Sequence, residues 1–386
     1  MELRDALLAA LRYELAGTLP ENFSFDGVDE AFLRSLYKYS NRQEVAHLCG
    51  DALERLGVLK SVSDETAEPY RRRMSVSAYH AEQQRQVFEQ ISETFDKAAI
   101  PYLPLKGMVI RQLYPEPWMR TAGDLDILVK QEDLTRAGEL LTAIGAKHKE
   151  KEEKHDRTFF FATGVMLELH YRLLEDERAN GAKDALDGIW EHVERVDKDR
   201  FEYRMKDEWF YYYHLVHAAK HLQEGTCGIR PFLDLWVINH NTKPNSERRE
   251  KLLEEQGLLP FAKAAEKLSE VWFSDKMPDE WTKSFEDFLL AGGVFGGSAT
   301  RYAVQTNKKG GKFRFYLGRI FIPYKTLKKW EPILVQYPVL FPFVQVKRWF
   351  SFLFCGGVRR NRNTATAVKR IEGGHTTREL REHLGL

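Results

Sequence analysis

Cysteine is scarce in this chain. Cys49, Cys227 and Cys355 are its only three, they lie far apart, and none forms a Cys-x-x-Cys pair. That excludes a disulfide framework or a zinc knuckle and makes a reducing, cytoplasmic setting the expectation. Long apolar runs are also missing. No stretch approaches the roughly 18 uncharged apolar residues that a spanning helix needs, and residues 1–20 read as an amphipathic helix carrying both acids and bases rather than as a leader. There is no internal repeat and no low-complexity tract. The glycine cluster Gly292-Gly-Val-Phe-Gly-Gly297 has no Gly-Lys-Ser/Thr after it, so it is no P-loop and reads as a helix stop.

Set against these absences is a globular composition. Of 386 residues, 43% are hydrophobic and 30% charged, enough to bury a core in one large domain or in two to three smaller ones. The net charge of +1 conceals an asymmetry. Residues 301–386 hold 18 Lys and Arg against 4 Asp and Glu, a net +14, so the preceding 300 carry a net −13. A basic end on an acidic body suggests an anionic partner, either a membrane surface or nucleic acid, or pairing with the body itself.

Periodicity divides the chain into four stretches. Residues 1–65 alternate apolar and charged positions at helical spacing (Leu7, Leu8, Leu11 and Leu15, then Leu33, Leu36 and Tyr37), which predicts a small helical bundle. Residues 66–180 begin with one long helix over 70–99, free of Pro and Gly. A strand over 100–105, a short helix over 108–113, a strand over 124–129 and a helix over 134–144 closed by Gly145 follow. Segments 158–162 and 165–169 flank Thr163-Gly164 as a hairpin. Residues 181–300 return to helices at 209–222, 230–240, 246–268 and 281–290. Residues 301–386 are basic and aromatic-rich, with a basic loop over 306–312. The segment Tyr337–Cys355, with Lys347, Arg348 and Trp349, fits a packed helix or a helix lying on a membrane surface. The fold class is α+β: a small mixed sheet with helical regions before and after it.

The chemistry-bearing residues fall in the second stretch. Asp124 and Asp126 are two apart on a predicted strand and so share a face. Side-by-side carboxylates repel unless a cation neutralises them, and Mg2+ or Mn2+ suits such oxygen ligands. Glu168 lies in Met166-Leu-Glu-Leu-His170, with Leu167 and Leu169 facing one way and Glu168 and His170 the other. If that strand lies beside the first, Glu168 becomes a third carboxylate on the same face, and three carboxylates can hold two metals about 3.5–4 Å apart. Lys106-Gly107 precedes a short helix, where glycine allows a phosphate to approach the backbone closely and Lys106 can reach it; a surface lysine is the plain alternative. Arg120 fits a phosphate contact or an ion pair with Asp124. His170 fits an orienting, substrate-contacting or proton-carrying role, or simply a structural hydrogen bond. His214, His217 and His221 share one helical face with no supporting Cys or His-Glu-x-x-His, so packing beside a cleft is favoured over a metal, with His217 or Lys220 touching nucleotide or acceptor. Asp234 fits an acceptor-side base or an i, i+4 pair with Arg230.

The run Leu105-Lys-Gly107, Tyr114-Pro115, Arg120 and Gly123-Asp-Leu-Asp-Ile-Leu-Val129 resembles an uncharacterised nucleotidyltransferase family found beside bacterial polysaccharide genes. That family shares the fold of kanamycin nucleotidyltransferase and DNA polymerase beta. The resemblance is strongest over residues 100–172. It implies that Gly107 is the glycine of the first motif, that Asp124 and Asp126 are the paired metal ligands, that Glu168 is the third carboxylate, and that Arg120 is the arginine before the acidic pair. Met108 stands where the wider superfamily has Ser or Gly, and the spacer from Gly107 to Asp124 is longer than usual there. His217-Ala-Ala-Lys-His221 and Arg230-Pro-Phe-Leu-Asp234 look like the helical segments that follow the family's catalytic unit. The implied reaction moves a nucleotide from a nucleoside triphosphate to a small molecule, sugar or protein, with pyrophosphate leaving. The gene association implies a cell-surface sugar pathway. Two rivals remain at this stage: a non-catalytic nucleotide-binding scaffold, and an enzyme adding nucleotides to nucleic-acid ends. A protein peripheral to the membrane is compatible with the basic C-terminal region.

Overall fold

The computed structural model describes residues 1–149, 156–174, 182–225, 227–242, 244–291, 322–354 and 375–386. The chain divides into two compact units. One comprises Met1–Lys220, Ile229–Pro278 and Gly385; the other comprises His221–Gly228, Asp279–Leu384 and Leu386.

The first unit opens with helices α1 (Leu3–Ala16), α2 (Glu30–Arg42) and α3 (Ala46–Arg55). Of the positions at helical spacing, Leu7, Leu11, Leu33 and Leu36 are buried and Leu8, Leu15 and Tyr37 half-buried; Leu48 and Leu53 of α3 join the buried set. Asp29 caps α2 by accepting from the Phe32 amide at 2.7 Å. Helix α4 (Asp64–Lys97) starts six residues earlier than expected, with Pro69 inside its second turn. There the proline costs only the hydrogen bond to the Glu65 carbonyl, close to an end where partners are already missing. Tyr70, Ser77, Gln84 and Ile91, each seven residues from the last, form part of a buried stripe along α4.

The later part of α4, with Val87, Ile91 and Phe95, packs on a five-stranded sheet of order β1-β2-β5-β4-β3: Tyr102–Pro104, Asp124–Val129, Met166–His170, Asp156–Phe160 and Lys147–His148. β1 runs antiparallel to β2, β2 parallel to β5, and β5 and β3 antiparallel to β4. The sheet is mixed, as expected. Leu125, Ile127 and Val129 of β2 and Leu167 and Leu169 of β5 bury one face against Ile91 and Phe95 of α4 and Leu134, Ala137 and Leu141 of helix α6 (Leu134–Ala143). Each of the Leu, Ile, Val and Phe side chains among them contributes about 1.5–3 kcal/mol by full burial. The opposite face of these two strands is left for the acids. Between β1 and β2 the short helix α5 (Gly107–Ile110) and two 3-10 turns lead into the Arg120–Gly123 loop.

Helices α8 (Asp207–Glu224, through Lys220 in this unit) and α9 (Arg230–Asn241) follow. The single helix expected over 246–268 is two, α10 (Ser246–Glu255) and α11 (Leu259–Phe273). Gly257 takes a left-handed φ of 68°, and Pro260 restarts the helix at its first turn, so the chain cannot run straight through. The helix α7 (Ala182–Asp187) and the two-stranded sheet Val193–Arg195 with Tyr203–Met205 were not anticipated.

In the second unit, helix α12 (Glu280–Ala291) and the C-terminal helix Thr377–His383 meet where Trp281 stacks on His375 and His383, at 3.7 and 4.1 Å between rings. Helices Tyr324–Trp330, Ile333–Gln336 and Phe341–Phe354 bury Ile322, Leu327 and Leu334. The glycine cluster 292–297, the loop 306–312 and Cys355 lie outside the described residues. Among the described residues no helix is long and apolar enough to cross a membrane.

Candidate active site

Strand pairing builds the site. In the parallel register of β2 and β5, Asp126 faces Glu168 and Asp124 faces Met166. Leu125, Ile127, Leu167 and Leu169 are all 0% exposed on the helix-covered face, so Asp124, Asp126, Glu168 and His170 share the other. The ligand atoms of Asp126, Glu168 and His170 lie within 4.8 Å of one another. Asp124, half-buried, stands two residues before Asp126 on the same face.

His170 Nε2 is 2.8 Å from Asp126 Oδ1 and 3.5 Å from Glu168 Oε2. A carboxylate oxygen accepts, so Nε2 carries the proton in this contact. His170 stands with Asp126 and Glu168 in a group whose donor atoms could hold a metal ion, and its hydrogen bond to Asp126 could equally orient that carboxylate. The carboxylates of Asp126 and Glu168, with Asp124 on the same face, suit a hard divalent cation, which takes carboxylates and substrate phosphates.

Lys106 completes the cluster. Its backbone sits at φ 44°, ψ −116°, an unusual conformation for a residue with a side chain, which costs on the order of 1–3 kcal/mol. That turn delivers Nζ to Asp126 Oδ1 at 2.8 Å. The preceding Leu105 amide donates to the Asp126 carbonyl at 3.0 Å, tying both residues to β2. Gly107 is required by packing: a Cβ there would come within 2.9 Å of the Ala122 Cβ. The glycine therefore brings the loop before Asp124 close to α5.

The charges divide unequally. Burial opposes ionisation of Asp126, but Lys106 and His170 outweigh it and hold this carboxyl below its ordinary range. Asp124 is pushed up by burial and by Asp126. Glu168 rises to about 7, through burial and then Asp126 and Asp124. The Lys106 ammonium is held well above its ordinary range: burial opposes it, and Tyr213, Asp126 and Asp124 prevail. One cation among three clustered carboxylates leaves negative charge that a divalent ion would neutralise.

The other residues singled out in the sequence fall nearby but have different surroundings. Arg120 Nε donates to Asp234 Oδ1 at 2.6 Å, and its Nη1 donates to the Thr121 carbonyl. Tyr114 Oη donates to the same Asp234 oxygen at 2.8 Å. Asp234, 1% exposed, is held below its ordinary range because Arg120 and His214 outweigh burial. Arg230 pairs with Glu44 at 3.0 Å and donates to the Thr121 carbonyl, so the i, i+4 pair with Asp234 is replaced by two longer-range ones. His214 Nε2 donates to the Pro231 carbonyl at 2.8 Å, a packing role for that histidine. His217 meets the Tyr213 ring at 6.5 Å, one turn along α8, and Lys220 follows, half-buried.

Three residues escaped the sequence reading. Tyr213, buried, is pushed up to about 12 by its own burial and by Asp126, Glu168 and Asp124, with Lys106 opposing, so it belongs to the cluster's electrostatics. The aromatic run Tyr211–Tyr213 was its signal, although nothing distinguishes the third tyrosine from the others. Tyr114 enters the sequence reading only as part of the family-like run, with no role attached to its hydroxyl. Gln84 of α4 donates to the Ala122 carbonyl at 3.1 Å, holding the loop from a third side.

A mixed sheet that pairs Asp126 with Glu168, behind a glycine-bearing turn, is consistent with a nucleotidyltransferase-like core. The chain matches the model of the uncharacterised nucleotidyltransferase family over residues 30–274, well over half its length, and belongs to that family. No curated protein and no solved structure matches it.

Proposed function

We propose that the protein is a metal-dependent nucleotidyltransferase: an acceptor oxygen or nitrogen attacks the α-phosphorus of a nucleoside triphosphate, and pyrophosphate leaves. The observation that carries this reading is the parallel register that sets Glu168 beside Asp126, with Asp124 on the same face. Asp124, Asp126 and Glu168 would hold Mg2+ or Mn2+. When bound, such an ion neutralises triphosphate charge and activates the attacking oxygen. His170 orients Asp126. Lys106, at 2.8 Å from Asp126, is within reach of a ligand seated on the carboxylates and supplies a cation to its phosphates. Gly107 lets the backbone approach those phosphates. Arg120 and Asp234 act through each other, fixing the loop that leads into Asp124. His217 and Lys220, one and two turns beyond Tyr213, are the acceptor-side candidates. The catalytic core occupies residues 66–180, after an N-terminal helical region, and α9, in the same compact unit, supplies Asp234 to the loop that leads into it. Calorimetric titration with Mg2+ and each of four nucleoside triphosphates tests the donor site. One nucleotide should bind only with metal, and Asp124→Ala should lose that binding. Equal binding by the variant would overturn the reading.

A separate observation bears on the basic C-terminal region. Trp330, Val335, Tyr337, Val339, Phe343 and Phe350 are all more than half exposed, in a stretch that also carries Lys325, Lys328 and Lys347. Exposed apolar and aromatic side chains among lysines suit an anionic membrane surface better than nucleic acid, which would need few aliphatic contacts. Flotation with vesicles containing anionic lipid should carry the protein up, and Val339→Asp with Phe343→Asp should abolish it. Flotation unchanged by the pair would exclude this surface.

A further inference from the structure

One face of α4 carries Arg73, His80 and Gln84, at i, i+7 and i+11. With Arg111, the loop Thr121–Gly123 and Arg230 they line a pocket of about 170 Å³, whose rim ends one residue before Asp124. The pocket holds three guanidiniums and one carboxylate, Glu44, which is taken by Arg230 at 3.0 Å.

Arg111 is the least expected of these. It is 2% exposed, and its partners are neutral: Nε donates to the Gly107 carbonyl at 3.2 Å and Nη2 to Gln84 Oε1 at 2.6 Å. Its Nη1 is buried without a hydrogen-bond partner among the described residues, as are Arg73 Nε and the Thr121 hydroxyl. Burial lowers the Arg111 guanidinium to about 10, with Arg120 adding repulsion. A buried cation with neutral partners and an unmade hydrogen bond is destabilising. Such groups persist where something else supplies the missing charge. Two guanidiniums without a carboxylate match a dianion. Donors arriving from α4, from the 3-10 turn at Arg111 and from the Thr121 loop suit a tetrahedral group better than a planar carboxylate, which offers two oxygens in one plane.

We propose that this pocket is an oxyanion site that takes a phosphate-type group, either from the nucleotide or from a second, phosphorylated ligand. The proposal rests on the pocket's own residues and does not require the transfer reaction. Because Arg111 is bonded to Gly107, and Gln84 to both Arg111 and Ala122, an anion here would brace the two segments that carry the carboxylate cluster.

Inorganic phosphate is the probe. Titrated into the full chain, it should bind saturably and raise the melting temperature. Arg73→Gln, at a half-exposed position outside any ion pair among the described residues, should weaken binding at least tenfold while the protein stays folded. Arg111→Met should abolish it; if that variant does not fold, Arg73→Gln carries the test. A folded wild-type protein that does not bind phosphate, or binding unchanged in Arg73→Gln, overturns the proposal. Repeating the titration with a saturating non-hydrolysable nucleoside triphosphate separates the two sources. Loss of phosphate binding assigns the site to the nucleotide's own phosphates, and persistence assigns it to a second ligand.

Discussion

Lys106 places its Nζ 2.8 Å from Asp126 Oδ1, from a backbone conformation that side-chain-bearing residues seldom adopt. His170 Nε2 reaches the same oxygen at the same distance. The strain is local and its product is specific: a cation set into the carboxylate cluster. Such a cation competes with a metal for Asp126 and cooperates with phosphate once a nucleotide arrives.

Removing it should therefore have two opposite effects. Lys106→Met is expected to bind Mn2+ severalfold more tightly than wild type in the absence of nucleotide, and to bind metal–nucleotide at least about tenfold more weakly, the scale of a lost charge-assisted contact. Calorimetry with metal alone and then with nucleotide reads both. Loss of both affinities together would mean that Lys106 serves only to hold the fold.

Gly107 makes a packing prediction that a phosphate role alone would not. Gly107→Ala must push the Ala122 methyl away, since the new Cβ would lie 2.9 Å from it. We expect about 1–3 kcal/mol of destabilisation and reduced activity, because the displaced loop leads into Asp124. Ala122→Gly in the same chain should restore stability. A double variant as unstable as the single one would remove the packing account.

Asp234 anchors that loop from α9. Asp234→Asn leaves Arg120 buried beside a neutral amide, and breaking a buried pair costs about 3–5 kcal/mol. A fall of that size in urea-derived stability is the expected outcome. A near-neutral variant that has lost only activity would instead place Asp234 at the acceptor.

Away from the site, Glu14 of α1 gives a pH prediction. Its side chain is fully buried, 3.4 Å from Arg55. Burial, and then Asp51, raise it from 4.5 to about 8. Between those values the unfolded chain releases this proton while the folded chain keeps it, so stability falls as pH rises through the window. Glu14→Gln should melt higher than wild type at pH 8, and the difference should vanish below pH 4.5. A gap that does not narrow on acidification would contradict the assignment.

The parts legible in the sequence are those with strong local signals. β2 was read to the residue, because a D-x-D followed by β-branched and leucine positions has period two and ends at a lysine. β5 differed by one residue, with Thr163-Gly164 marking the turn, and the pairing of Glu168 with Asp126 followed once the two strands proved adjacent. Strands of two or three residues, such as Lys147–His148 and Val193–Arg195, carry no periodicity to read. Partners far apart in sequence were equally hidden. Arg120 chose Asp234 over nearby Asp124, and Arg230 chose Glu44 over the residue one turn away, because tertiary packing brought those groups closer than helical spacing did.

The most direct test of the central claim follows the label. Nucleoside triphosphate labelled at either the α- or the γ-phosphate is incubated with Mg2+, the protein and a pool of small-molecule, sugar and protein acceptors. The account predicts that α-label moves to an acceptor while γ-label leaves as pyrophosphate, and that neither happens with Asp124→Ala. Transfer of γ-label to the acceptor, or α-transfer undiminished in Asp124→Ala, would contradict it.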